Sequence, residues 1–317
     1  GPYKCPNASV TGHAVRTNNP PCGAMRGFGV VQACYAHESQ MEKLASALGM
    51  SPVELRLVNA METGDTLITG QIMDSVAPVA ECIRETAAIP MPAPLTGEPD
   101  ALELPGGSGL TSEKRHIKRG VGWGVSIKNI MYSEGFDDFA TARCRIDNGV
   151  VTLKFATSEV GQGFVTLAPQ IARSVIGIDT VVTEPIDTGV GSAGSTSASR
   201  QTWMSGGAVK GACELVRDAL LRHVAAAHGL EFATLSVDGT DIVNVAGNFR
   251  MDAAAASVGF TADETFEHHH RPTEDLDENG QGNCHVAFAF VAHRAVVDVD
   301  EELGLVKVVQ IATAQDI

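Results

Sequence analysis

The sequence predicts an α+β fold of mixed sheets with packed helices, and three observations predict it. Apolar residues recur at helical spacing in some stretches and alternate at strand spacing in others. The two kinds of stretch follow one another without the strict β-α-β rhythm of a doubly wound sheet.

From Val31 to Leu48 the apolar positions Val31, Cys34, Tyr35, Met41, Leu44, Ala45 and Leu48 fall at helical spacing, with Gly49 suited to the position just past a helix end. A second helix begins at Ser51-Pro52-Val53-Glu54, which joins a capping serine, a proline in the first turn and a glutamate three residues on. Leu55, Val58 and Met61 form its expected apolar face. Pro90, Pro92, Pro94, Pro99, Pro105, Gly106, Gly107 and Gly109 crowd the stretch up to Arg119, a composition that suits a surface linker. Ala140, Ala142, Cys144 and Ile146 then alternate with polar residues, and Asp147-Asn148-Gly149 turns the chain into Val150 to Phe155, a β-hairpin. Thr166–Ile176 and Val209–His228 read as helices closed by Gly177 and Gly229. Val286, Phe288 and Phe290 open a strand, and after a turn at Glu301 to Gly304 another runs through Ile311.

At 317 residues the chain has length for about two domains. Its 38 acidic against 23 basic side chains give a formal charge of −15, which repels phosphate backbones and anionic lipid and argues against nucleic acid as a partner. No stretch approaches the roughly 20 apolar residues of a spanning helix, so a membrane role is not expected either. Seven cysteines are scattered singly, which suits reduced thiols in a cytoplasmic protein. There is no initiator Met or signal-like segment at Gly1, and the sequence stops at Ile317 directly after a strand-like run, so a piece of something longer is expected.

Three loops carry chemistry. Thr17-Asn18-Asn19-Pro20-Pro21-Cys22-Gly23-Ala24-Met25-Arg26-Gly27-Phe28-Gly29 leads straight into the first helix. Its glycines let backbone approach a bound group, and the helix start behind them offers unpaired N–H groups. Ser158-Glu159-Val160-Gly161-Gln162-Gly163 lies between a strand and a helix, two glycines flanking one uncharged amide donor. Asp187-Thr188-Gly189-Val190-Gly191-Ser192-Ala193-Gly194-Ser195-Thr196-Ser197-Ala198-Ser199-Arg200 concentrates hydroxyls and accessible N–H groups, which suit a pyrophosphate or a pterin edge. Residues 189–194 also spell the GxGxxG fingerprint of nicotinamide dinucleotide binding, with Glu214 downstream, but the expected helix does not start within it and Pro185 breaks the strand before it. His268-His269-His270 has no spaced partners and suits only adventitious metal.

The first loop resembles the Thr-Asn-x-Pro…Ala-Phe-Arg-Gly-Phe-Gly-x-Pro-Gln segment of the xanthine dehydrogenase and aldehyde oxidase family, with Met25 in place of Phe and Val31 in place of Pro. The Gly-Gln-Gly turn and the Gly189–Arg200 loop resemble that family's next two cofactor motifs, in the same order. The likeness is nearest to the molybdenum subunits of bacterial xanthine dehydrogenases.

The resemblance implies an α+β fold like the family's molybdenum-cofactor-binding domains. Residues 1–65 would end a first molybdopterin-binding domain, 66–119 would be linker, and 120–317 would be a second such domain. It implies that molybdopterin, in its cytosine dinucleotide form and carrying molybdenum, is held by Gly23, Ala24, Met25, Arg26, Gly27, Gly161, Gln162, Gly163, Thr196, Ser197, Ser199 and Arg200, the last on its phosphates. Phe28 would stack on substrate, and an opposing residue would fall near Met131, Tyr132 or Phe136, with Met131 the candidate carried forward. No direct metal ligand and no catalytic residue is expected here. The family's glutamate base is expected beyond Ile317, and Gly97-Glu98-Pro99, which superficially matches its segment, lies too early in the chain to supply it. The implied reaction inserts water-derived oxygen into xanthine or hypoxanthine. The chain alone would be inactive. Iron–sulfur clusters need grouped cysteines, so 2Fe-2S clusters and FAD are expected on an iron–sulfur subunit and an FAD subunit, beside a second molybdenum-binding chain. An aldehyde, nicotinate or carbon monoxide oxidising member, and a non-catalytic dinucleotide-binding module, remain open alternatives.

Overall fold

The computed structural model describes residues 1–20, 26–96, 100–107, 109 and 112–316. The chain forms two units, one made of residues 1–129 with 276–317 and the other of residues 130–275.

In the first unit α1 (Val30–Leu48) is followed by α2 (Pro52–Asn59) and α3 (Val79–Ala88). A three-stranded sheet has the order β1 (Ile117–Ile130), β9 (Ala287–Asp300), β10 (Leu305–Asp316). Met61, Met73, Val79, Cys82, Ile83, Val125, Phe290 and Ala292 form its core. Ser51 caps α2 as expected, its hydroxyl accepting from the Val53 and Glu54 N–H groups at 3.2 and 3.4 Å.

Two expectations are corrected here. The apolar stripe of α1 is fully buried only at Ala45: Val31, Tyr35, Leu44 and Leu48 are exposed, and so is Val58 of α2. The other residue α1 buries is Glu38, which receives the Tyr3 hydroxyl at 2.6 Å and Arg56 Nε at 2.8 Å, with Arg56 fully buried. Opposite charges in a charge-assisted hydrogen bond satisfy each other where periodicity alone predicts hydrophobic packing. The stretch 66–119, expected as linker, contains α3, whose Val79, Cys82 and Ile83 join the core. Its low count of long apolar residues hid a helix built from small ones.

In the second unit a four-stranded sheet has the order β4 (Val181–Thr183), β3 (Val150–Phe155), β2 (Phe139–Asp147), β8 (Thr261–His269). The expected hairpin is present, Asp147 facing Val150 and Ala142 facing Phe155. Asn148 and Gly149 both take positive φ, 47° and 82°, as the tightest hairpin turns require. Helices α4 (Phe164–Ile176) and α5 (Gly206–His228) are associated with this sheet. Gly207 and Gly211, one turn apart on α5, leave room for His268 and Phe266 of β8. His268 is therefore a packing residue, and burial pushes its imidazole below the usual value. A small sheet of β5 (Leu235–Asp238), β6 (Asp241–Asn244) and β7 (Arg250–Asp252), followed by the short helix α6 (Ala253–Ala256), completes the unit.

The six cysteines among the described residues are free, including Cys144 and Cys213, whose sulfurs lie 3.7 Å apart inside the second unit. Among the described residues no helix is long and apolar enough to cross a membrane, and no group of three or more His, Cys, Asp or Glu is arranged to hold a metal ion.

Candidate functional site

Two of the three sequence motifs meet in the second unit. The Ser158–Gly163 turn ends at the N-terminus of α4, where Gly161 and Gly163 take φ of 91° and 90° and have open space on the side a Cβ would fill. Glu159 occupies this turn, its carboxylate accepting from the N–H groups of Gly161, Gly163 and Val165 at 2.7 to 3.1 Å. Those backbone donors, Gly163 foremost, hold its carboxyl below the usual carboxylate range. The Gln162 amide folds back on the same turn, accepting from Val160 N–H at 2.7 Å and donating to the Ser158 carbonyl at 3.1 Å. One amide hydrogen is left for a ligand.

The Gly189–Arg200 loop lies beside this turn, because the Thr196 hydroxyl donates to the Ser158 carbonyl at 2.9 Å. Gln201, at the start of a single π-helical turn before α5, donates to the Ser195 carbonyl and the Thr196 hydroxyl, and Ser205 in turn donates to Gln201. Such π turns recur at functional sites. Ala156, Thr188, Gly191, Ser192, Ala193 and Gly194 line an open cleft of about 470 Å³. Ser192, Gly194, Ser195 and Ser199 are exposed.

Two expected site residues have other positions. Arg200 is fully buried, and every N–H of its guanidinium is engaged. Nε and NH2 grip the Asp138 carboxylate at 2.6 Å each, NH2 also donates to the Phe139 carbonyl at 2.8 Å, and NH1 donates to the carbonyls of Ala193 and Ser195. A guanidinium with no free donor does not bind phosphate. Met131, carried forward for substrate, is buried at 2% exposure within its own unit, and its N–H donates to the Ala198 carbonyl at 2.9 Å. The side chains that face outward beside it are Tyr132 and Phe136, in edge contact with ring centroids 6.1 Å apart. Phe136 is 59% exposed. The Tyr132 hydroxyl lies 3.2 Å from Ser195 Oγ, and hydrogen bonds from Ser195 and then Ser197 hold its pKa below the usual phenol value.

In the first unit Gly27, Phe28 and Gly29 all take positive φ, 101°, 54° and 94°. This left-handed run turns the Phe28 ring outward at 65% exposure just before α1. Arg26 is exposed as well, while Gly23, Ala24 and Met25 lie outside the described residues. The rejected Gly97-Glu98-Pro99 is also outside them. His269 pairs with Asp137 and Glu267, and His270 accepts the Asp138 N–H, so the histidine tract is spent on local contacts.

Asp138, Gln201 and Glu159 are the site residues that sequence reasoning missed as functional elements. Glu159 sits inside a motif but was read only as part of its turn. Asp138 and Gln201 carry no pattern, since their partners stand far off in sequence or on neighbouring main chain.

Comparison with known proteins decides the family. Models of the molybdopterin cofactor-binding domain match residues 1–60 and 108–317. The chain belongs to the xanthine dehydrogenase and aldehyde oxidase family of molybdopterin-binding proteins. It is 47% identical over 85 residues to the nicotinate dehydrogenase large molybdopterin subunit of Eubacterium barkeri, covering 27% of this chain and 20% of that protein. It is 30% identical over 222 residues to a putative xanthine dehydrogenase molybdenum-binding subunit of Escherichia coli strain K12, covering 66% of this chain and 27% of that protein. The chain thus spans about a fifth to a quarter of the length of these two relatives. Quinoline 2-oxidoreductase from Pseudomonas putida 86 has the same fold, with a TM-score of 0.70 at 19% identity over 93% of this chain and 38% of that one.

The donor set of the second unit fits a molybdopterin. The cleft is bordered by the Thr188 and Ser192 hydroxyls, uncharged donors that suit an oxygen-rich, polyanionic group, and by Gly191 and Gly194, whose missing side chains let that group approach the main chain. Next to Ala156 of that cleft, the buried Thr157 hydroxyl finds no partner among the described residues.

Proposed function

We propose that this chain is the cofactor-binding component of a molybdenum hydroxylase acting on an electron-poor nitrogen heterocycle, with xanthine or hypoxanthine as the preferred substrate. The observation that carries the reading is the bond from Thr196 to the Ser158 carbonyl, which sets the Gly-Gln-Gly turn beside the hydroxyl-rich loop at one cleft. When bound, the molybdenum pterin supplies a Lewis acid and an electron sink.

In this reading Gly161, Gln162, Gly163, Thr196, Ser197 and Ser199 hold the pterin and its cytosine nucleotide, and Gly23 to Gly27 contribute main chain to it. The Ser192 hydroxyl, which accepts the Gly194 N–H at 3.1 Å and keeps its own hydrogen to donate, extends the anion-binding rim, taking the part first given to Arg200. Phe28 stacks on the heterocycle, and the aromatic pair Tyr132 and Phe136 replaces Met131 as the candidate opposing surface. No carboxylate of the described residues is assigned as the base, and the stretch described here is inactive by itself. FAD and 2Fe-2S clusters reside on partner subunits in the cytoplasm; a 2Fe-2S cluster needs four grouped cysteines, and the described residues bring together no more than the Cys144–Cys213 pair.

The 47% identity to a nicotinate dehydrogenase subunit favours nicotinate as a second reading. The test is to purify the full-length protein from its native host with its partners. Molybdenum, iron and acid-released nucleotide are then measured, and xanthine, hypoxanthine, nicotinate, an aldehyde and carbon monoxide are assayed as electron donors. Molybdenum near one per chain with several irons and turnover of a purine is the expected result. Turnover of nicotinate alone replaces the purine, and an intact complex with neither metal overturns the hydroxylase in favour of the dinucleotide-binding module.

A further inference from the structure

We propose that the buried Arg200–Asp138 pair is a positioning clamp that holds the Gly191–Ser199 loop in its cofactor-receiving shape and locks it to the aromatic turn at Tyr132–Phe136. The word cofactor here rests on the function proposed above; the clamp itself rests on the second unit's own geometry.

The guanidinium's contacts divide between two segments and go nowhere else. On one side it donates to the Ala193 and Ser195 carbonyls of the loop. On the other it donates to the Asp138 carboxylate and the Phe139 carbonyl, where the aromatic turn enters β2. Asp138 is fixed in turn by His270, whose Nε2 accepts its N–H at 3.1 Å. Planar, forked and permanently charged, an arginine meets both segments at once in a way a lysine does not.

The loop is in a shape it would not hold unaided. Ala198 and Ser199 both take left-handed φ, 54° and 56°, and neither is glycine. Such strain persists only where the surroundings over-determine it. Arg200 follows these residues directly, and the Met131 N–H grips the Ala198 carbonyl from the aromatic segment. Gly194 shows how closely the loop wraps the clamp: a Cβ there would stand 2.9 Å from the guanidinium. The Tyr132 hydroxyl meets Ser195 on the outer side of the same loop. Loop and aromatic turn therefore share one buried anchor and two peripheral ties.

The experiment uses the full-length protein in its native complex. Arg200→Lys keeps the charge opposite Asp138 and loses the fork. Hydrogen exchange followed by mass spectrometry is expected to speed up at least tenfold in segments 191–199 and 130–138 together, with α4 and α5 unchanged. Retention of molybdenum and pterin nucleotide after gel filtration is expected to fall at least tenfold. Adding Ala198→Gly, which removes loop strain, is expected to recover much of that retention, a rescue that a general loss of stability would not show. Should Arg200→Lys fail to fold, Gly194→Ala, which presses on the guanidinium without changing charge, is expected to move both segments in the same direction. Wild-type exchange in Arg200→Lys, or acceleration of 191–199 alone, overturns the clamp. Absence of molybdenum and pterin from the wild-type complex overturns the cofactor role, while the exchange result still judges the clamp.

Discussion

Gly211 gives a sharp test of how α5 lies on the sheet. Helix propensity alone forecasts that Gly211→Ala, in the middle of a 23-residue helix, stabilises the protein by about 1 kcal/mol. The structure reverses the sign. A Cβ built at Gly211 stands 2.2, 2.5 and 2.6 Å from three atoms of the Phe266 ring, closer than real Cβ atoms come. The ring lies between α5 and β8, so helix or ring must give way, and overpacking of this kind costs about 1–3 kcal/mol. With contacts this short the upper half of that range applies, leaving a net loss of about 1–2 kcal/mol once propensity is subtracted. For a unit of this size that lowers the melting temperature by roughly 2–8 °C. Differential scanning calorimetry of the full-length protein measures it, with far-UV circular dichroism to verify the helix. Phe266→Leu in the same background should return part of the loss, a coupling that a double-mutant cycle isolates. A melting temperature that rises in Gly211→Ala refutes the close approach of α5 and β8.

In the first unit the Cys34 thiol, and then Glu38, raise the His37 imidazole to about 9 against the opposing effect of burial. A raised folded value means that His37 contributes stability fully below its ordinary value of about 6.5 and loses it as pH climbs through about 9. The melting temperature should therefore fall between pH 7 and 10, and His37→Gln should flatten that fall; an unchanged pH profile in the variant contradicts it. Glu38→Gln leaves the fully buried Arg56 with Glu42, at 3.0 Å, as its remaining carboxylate among the described residues and should cost about 3 kcal/mol, read as a lower urea midpoint. Phe28→Ala in the assembled enzyme should raise KM for a heteroaromatic substrate roughly 2- to 13-fold, the loss of one stacking contact of about 0.5–1.5 kcal/mol. Unchanged steady-state kinetics would remove Phe28 from the substrate site.

What the sequence made legible follows from how local each signal is. The hairpin at Asp147-Asn148-Gly149 and the caps at Ser51, Gly177 and Gly229 are each specified within a few residues, and each stands where spacing put it. The three glycine- and hydroxyl-rich loops stand out as motifs for the same reason, since those residues cluster in short runs. What stayed hidden is non-local. Glu38 lies inward because Arg56 and Tyr3 arrive from other elements, and the apolar periodicity of α1 gives no sign of it. Arg200 shows the same limit at the site. An arginine closing a polar, glycine-rich loop has the composition of a phosphate ligand, yet Asp138 stands 62 positions earlier and consumes its charge. The distinction between an arginine that meets the ligand and one that shapes the loop around it depends on that single distant carboxylate. A motif's last cation can therefore be assigned only after its buried counter-charge has been located.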